Sequence, residues 1–483
     1  MIDSNSDERL VSTGAPGLDE ILFGGLPRRG VYFVGGEPGT GKTTLGLQFL
    51  IEGVRRGERA LFVTLSQDRR DLGRIARSHG FDLAGVVVEE VSALKLARSA
   101  GERQSVLHSS DVELSTIMES LHDAIHDARA DRIVFDSLFE VRLLSTDPLN
   151  YRRELLVLRE LVMGSDATAL FLDYNDDTLG DRQLEGLASG AIKLEKQVPA
   201  FGPAVRRLHV AKLRGRDFVG GQHDMTIRKG GLFVFPRVVP GLTPETLTDE
   251  SVTCGIPALD EMLGGGLRPG TTCMVTGQSG TGKTTLATAY AQAAAKAGKP
   301  AALFLFEERT EIFRRRSEDL GFEIEPMEEA ETLRLQHFNP TEVSPGEFGQ
   351  AVRSTVEEQG VRLVVIDSLS GFLGALPNGR DLVSQLHSLL SYLSRKNVLT
   401  ILVLTQHGLL GGEERLPVDV SYLADSVIQL RMREEGEDVR RTIAVLKKRH
   451  GDHEHAIREF VIGGRSIEVR PPEIDGGPLL AVA

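Results

Sequence analysis

The pattern G-x-x-x-x-G-K-T occurs twice, as GEPGTGKT at 36–43 and as GQSGTGKT at 277–284. Each turn follows a short apolar run and opens a helical stretch. One such turn already dictates strand, loop and helix in that order. Its glycines let backbone N–H groups turn inward round phosphates, and the next helix presents its positive N-terminus. Two of them at a fixed spacing dictate a duplicated domain. A single offset of 241 residues relates Asp19 to Asp260, Lys42 to Lys283 and Gly80 to Gly321. With no net insertion between these markers, Ser66 falls on Glu307 and Gln67 on Glu308.

Short β-rich runs alternate with helical stretches in each copy. RIVFDSL (132–138) and LVVIDSL (363–369) read as buried parallel strands ending in aspartate. TALFLDY and TILVLTQ read as further core strands, and LGLQFLIEGVRRG reads as an amphipathic helix stopped at Gly57. Strand–helix alternation behind a P-loop predicts an α/β fold, a mainly parallel sheet covered by helices, in each copy. The expected domains are 1–240 and 241–469, joined through PRVVPGLTPETLTDES (236–251), with 470–483 a disordered tail.

Composition narrows the function. A formal net charge of −13 disfavours a large face for duplex DNA, and the absence of tryptophan and of an aromatic-rich basic segment disfavours single strands. No apolar run reaches the length of a membrane helix, the polar opening MIDSNSDERL is unlike a secretory signal, and only Cys254 and Cys273 are present. Those features predict a reducing cytoplasm.

The expected chemistry is that of ATP with Mg²⁺. In the first copy Gly36, Gly39, Thr40, Gly41, Lys42, Thr43 and Thr44 form the phosphate site; in the second Gly277, Gly280, Thr281, Gly282, Lys283, Thr284 and Thr285 do. The lysines reach the β/γ oxygens. Thr43 and Thr284 offer hydroxyls to Mg²⁺, and Asp136 and Asp367 hold it from their strand ends. Glu307 and Glu308 close the apolar run ALFLF, where a carboxylate can orient or deprotonate an attacking water or hydroxyl. Ser66 and Gln67 cannot act as general bases at neutral pH, so the first site is expected to bind ATP and turn it over slowly or not at all.

The leading segments TGAPGLDE and CGIPALDE, the P-loops, the FEE strand tip, the IDS strand and a late Lys-x-Arg together resemble the KaiC family, double-domain RecA-like P-loop ATPases. The resemblance spans about 12–465. It implies a homo-oligomer, a hexameric ring of two tiers with ATP between subunits. It implies that Glu307 and Glu308 are the catalytic pair. Lys447 and Arg449, and Lys212 and Arg214 in the first copy, would reach a neighbour's γ-phosphate, and Arg441 would contact nucleotide. It also implies serine/threonine autokinase activity in the second tier. Ser421 in DVSYLADSVIQL matches the serine acceptor, with Tyr422 where the family has threonine. A signalling protein partner is a further expectation.

Two motifs read otherwise. HGDHEH (450–455) lacks a second ligand pair for zinc and reads as a loop beside nucleotide. DYNDDTLG (173–180) lacks the glycine and glutamate of a calcium loop and reads as solvated. The competing functions are a DNA-dependent ATPase of RecA or helicase type and an ATP-binding signalling scaffold without significant catalysis.

Overall fold

The structure is a computed structural model describing residues 10–91, 109–145, 147–174, 179–199, 202–239, 250–374, 379–406, 421–435 and 438–471. The stretch 240–249 within the expected linker, the tail 472–483 and residues 175–178 of DYNDDTLG lie outside them.

Cα proximity divides the chain into two units after Arg237. The first is built on one sheet, with nine strands among the described residues. Its order runs Gly231–Phe235, His223–Arg228, Val205–Leu213, Gly190–Gln197, Val31–Gly36, Thr168–Asp173, Arg132–Asp136, Ala60–Thr64 and Val86–Glu90. The six strands from Gly190–Gln197 to Val86–Glu90 are parallel, and the three at the other edge are antiparallel. The reason is burial. Every residue of Val31–Gly36, Ala60–Thr64, Arg132–Asp136 and Thr168–Asp173 is buried, as needed when helices cover both faces. Separate apolar clusters on the two faces supply that cover.

The second unit repeats the order: Leu333–His337, Ala301–Leu305, Leu363–Asp367, Leu399–Thr405, Thr272–Gly277, Ser426–Glu435, Asp438–Lys448, Arg458–Gly463 and Ser466–Arg470. Both units are therefore helix-covered, mainly parallel sheets. Beneath Glu307 its core is aromatic. Phe304, Phe306, Phe338, Phe348 and Phe372 meet with ring centroids 5.1–6.1 Å apart, mostly tilted or edge-on.

Hydrogen bonds settle the pairing of the copies. Leu65 donates to the Asp136 carbonyl at 3.0 Å, and Phe306 donates to the Asp367 carbonyl at 2.8 Å. Leu65 and Phe306 are 241 residues apart, so no hidden gaps intervene and Ser66 and Glu307 occupy one structural position. From Arg132 and Leu363 through the next strand the offset is 231, because Val31 pairs with Ala169 where Thr272 pairs with Thr400. On the antiparallel side, Ala191 pairs with Lys212 as Val427 pairs with Lys447. Lys212 and Lys447 are thus equivalent.

Candidate nucleotide sites

Each P-loop joins the C-terminal end of the strand Val31–Gly36 or Thr272–Gly277 to the helix Lys42–Arg55 or Lys283–Lys296. Gly41 and Gly282 cap those helices at φ 110° and 99°. That backbone is open to glycine, and a Cβ on Gly41 would lie 2.6 Å from Ile227 Cδ1. The equivalent Cβ on Gly282 would collide with Ile462. Packing from the antiparallel strands therefore holds both turns in the left-handed shape that glycine permits.

Lys42 donates to the carbonyls of Gly36 at 2.5 Å and Glu37 at 3.1 Å; Lys283 donates to Gln278 O at 2.7 Å. Burial lowers the pKa of both ammoniums, opposed in part by nearby carboxylates. Thr43 Oγ1 donates to Asp136 Oδ2 at 2.5 Å, and Thr284 bonds Asp367 in the same way. Burial pushes both carboxyls up, Asp367 to about 6, with Glu307 adding to that rise and Thr284 and Lys283 opposing it. Each hydroxyl–carboxylate pair is a set of hard oxygen donors suited to Mg²⁺.

At the second strand tip the two glutamates part company. Glu307 is exposed, and Ser368 Oγ donates to its Oε1 while accepting from Gly371 N at 3.2 Å. Glu308 pairs with Arg316 at 2.7 Å. In the first copy Ser66 is exposed and Gln67 is held by its backbone, whose N–H and carbonyl both bond Thr64 Oγ1. The buried Gln67 Oε1 has no hydrogen-bond partner among the described residues. Ile75 stands where the second copy has Arg316, so the Glu308–Arg316 pair is replaced at both ends. Lys42 also lies 5.1 Å from the Tyr174 ring centroid, where the second copy has Thr405.

The structure separates the late basic residues that the sequence groups together. Arg441 donates to Gly280 O at 3.2 Å, so it reaches its own P-loop. Lys447 pairs with Val427, three residues from Leu430, the partner of P-loop residue Gly277. At strand rise that places Lys447 about 10 Å down the sheet, away from its own phosphate site. Lys447 Nζ donates to Ala424 O at 2.7 Å. Arg449 bonds Tyr422 O at 3.2 Å and pairs with Asp425 at 3.3 Å. Arg214 makes the equivalent contact to Gly186 O at 2.7 Å, and Lys212 bonds Glu185 O. Ser421 opens the short 3-10 turn Ser421–Leu423 at that same end. His450–His455 lie there too, with Glu454 N bonded to Met262 O. Among the described residues no group of three or more His, Cys, Asp or Glu could hold a metal.

Three residues escaped the sequence reading. Arg206 pairs with Lys196 as Arg441 pairs with Met432, and its buried Nε has no hydrogen-bond partner among the described residues. The offset of 235 between Lys212 and Lys447 already pointed to it. Ser368 follows the IDS pattern, but nothing sequential tied its hydroxyl to Glu307. Arg316 is one of three consecutive arginines, and only the helix Thr310–Asp319 selects which one turns to Glu308.

The family model "ATPase: KaiC" matches residues 11–239 and again 252–474. The circadian clock protein KaiC3 of Synechocystis sp. is 28% identical over 481 residues, 98% of this chain and 94% of the relative. The circadian clock oscillator protein KaiC of Synechococcus elongatus is 28% identical over 477 residues, 97% and 91% respectively. A KaiC of Rippkaea orientalis is 29% identical over 462 residues, 94% and 87%. The chain belongs to the KaiC ATPase family. Membership covers both copies, so the chain is a KaiC-like ATP-binding protein built on two RecA-like sheets. Among the described residues no helix is long and apolar enough to cross a membrane.

Asp367 yields a pH prediction. Its folded pKa of about 6 exceeds the ordinary 3.8, so the folded chain holds the proton more tightly than the unfolded chain. Stability is greatest below the ordinary value and falls as pH rises through 4 to 6. Asp367→Asn removes that penalty. In nucleotide- and Mg²⁺-free buffer at pH 7.5, urea unfolding of the second unit shows the variant more stable by up to about 3 kcal/mol, a gap that closes towards pH 4. Equal stability at pH 7.5 contradicts the assignment.

Proposed function

We propose that this protein is a ring-forming ATPase whose turnover resides in the second copy, which also phosphorylates Ser421, while the first copy binds ATP chiefly to hold the assembly. One observation carries this reading. At a single structural position beside equivalent P-loops, the second copy has Glu307 and the first has Ser66. Thr284 and Asp367 would hold Mg²⁺, which would supply positive charge to offset that of the phosphates. Lys283 leaves its loop carbonyl for the phosphate oxygens. Glu307 Oε accepts the proton of a water or of the Ser421 hydroxyl, with Ser368 fixing the carboxylate's orientation. Glu308 stays with Arg316 and serves as support. In the first copy Lys42, Thr43 and Asp136 bind nucleotide, and Gln67 can orient water without accepting its proton.

The far-end position of Lys447 and Arg449 supports action on a neighbouring subunit's nucleotide, and Lys212 and Arg214 would do the same in the first tier. A cation arriving there neutralises charge that develops on the transferred group. Ser421 shares that end of the sheet, and Arg449 grips the carbonyl of the next residue. Phosphorylation would therefore also pass between subunits. A closed ring such as a hexamer provides every subunit with both halves of a site.

Three measurements test these points. Steady-state hydrolysis falls at least 100-fold in Glu307→Gln and less than 10-fold in Glu308→Gln, while Lys283→Ala keeps under a tenth of wild-type turnover. Substantial hydrolysis by Lys283→Ala refutes the division between copies. After incubation with Mg·ATP, mass spectrometry finds phosphate on Ser421 and none in Glu307→Gln; an unmodified Ser421 removes the kinase activity and leaves the ATPase. Finally, Lys283→Ala protein mixed with Lys447→Ala/Arg449→Ala protein recovers activity that neither has alone, because some interfaces then hold two intact halves. No recovery after subunit exchange argues for action within one chain.

A further inference from the structure

The helix Pro148–Gly164 buries Tyr151, Leu155, Leu158 and Val162 against its sheet. Its outer face is unusual. Leu149 is 79% exposed, and Leu156, Val157 and Met163 are exposed as well. Leu149, Leu156 and Met163 recur every seven residues, the spacing that keeps a stripe on one side of a helix and forms the seam of a helix pair. Arg152 and Arg159 run beside the stripe at the same spacing, and Arg153 borders its other edge. Arg152 and Arg153 are exposed with no ion-pair partner among the described residues, and Arg159 lies 3.3 Å from Glu160.

The second unit supplies an internal control. The offset of 231 maps Pro148–Gly164 onto the helix Gly379–Arg395 without a gap. The buried positions keep their character, as Leu382, Leu386, Leu389 and Leu393. The outer positions do not. Leu149, Leu156, Val157 and Met163 become Arg380, His387, Ser388 and Ser394, while Arg152, Arg153 and Arg159 become Val383, Ser384 and Leu390. Neither the sheet nor the helix requires an apolar outer face, since the same helix on the same sheet does without one. A row of exposed apolar side chains on one copy only marks a contact that only this copy makes.

We propose that the outer face of Pro148–Gly164 docks an amphipathic helix of a partner protein, one that lays an apolar stripe along Leu149, Leu156 and Met163 and sets carboxylates against Arg152 and Arg159. Charge selects this occupant. In a chain of net charge −13, this helix presents three arginines against two carboxylates, Glu154 and Glu160, and the edge formed by Arg152 and Arg159 holds neither of them. Complementary carboxylates steer and orient the partner, and the stripe supplies the buried area. A second copy of this chain fits less well. Antiparallel self-pairing about Leu156 would place Arg152 against Arg159 of its twin twice along one edge, and only the Arg153–Glu160 pairs along the other edge would offset that repulsion.

The test uses the full-length protein with Mg·ATP and two fluorescent 21-residue peptides. Both carry leucine at the seam positions of a helix; one is flanked by glutamate, the other by lysine. The tested variant carries the second copy's residues, Leu156→His, Val157→Ser and Met163→Ser, which this fold already accommodates, and its melting temperature verifies folding. Fluorescence anisotropy shows saturable binding of the glutamate-flanked peptide, weakened at least tenfold in the variant and by added salt. In Arg152→Ser/Arg159→Gln the preference over the lysine-flanked peptide disappears. Equal binding of both peptides to wild type, or undiminished binding to the variant, overturns the proposal. Loss of ATP-dependent assembly in the folded variant also overturns it, assigning the stripe to contact between copies of this chain. None of these residues belongs to the nucleotide sites, so failure here leaves the ATPase reading intact.

Discussion

A threonine hydroxyl held against a buried aspartate anchors each half of this molecule. Thr43 and Thr284 stand in the first turn of the P-loop helices, while Asp136 and Asp367 close strands two places away in the sheet. The contact spans the end of the intervening strand and ties the helix N-terminus to the strand that positions the reaction. In the second copy that tie continues. Ser368 follows Asp367 and holds Glu307, which projects from the next strand over. Slipping the register of Thr272–Gly277, Leu363–Asp367 or Ala301–Leu305 would pull the lysine, the aspartate or the glutamate away from the other two, since parallel pairing fixes them together.

Much of this was legible in the sequence because it depends on local rules. Two P-loops force strand–loop–helix units, continuous apolar runs force buried parallel strands, and a constant offset aligns Ser66 with Glu307. What sequence could not resolve depends on direction and reach. Arg441, Lys447 and Arg449 look like one basic cluster along the chain. On an antiparallel strand they are spread along its length, so Arg441 meets its own P-loop and the other two face away. Arg316 stood beside two identical neighbours, and Ser368 carried no signal apart from the partner that folding brings to it.

The two copies have diverged through linked substitutions. Replacing Glu308 by Gln67 accompanies replacement of Arg316 by Ile75, so no uncompensated charge remains. Arg132, almost fully buried and bonded to Glu58, Ser12 O and Phe49 O, is the first copy's equivalent of Leu363. Its guanidinium stacks over Phe49 and secures the first copy's leading segment to the P-loop helix. The second copy buries an aliphatic residue at that point instead. The first copy thus keeps an elaborately bonded interior around a strand tip without acid.

The placement of phosphate loop and distant cations at opposite ends of one sheet bears on how such a chain can originate. A single module of this kind cannot bring its own basic pair to its own phosphate loop. Copying the module in tandem copies both ends of the sheet at once. Either copy can then lose its strand-tip acid, as Ser66 stands for Glu307, while both ends of its sheet stay as they were.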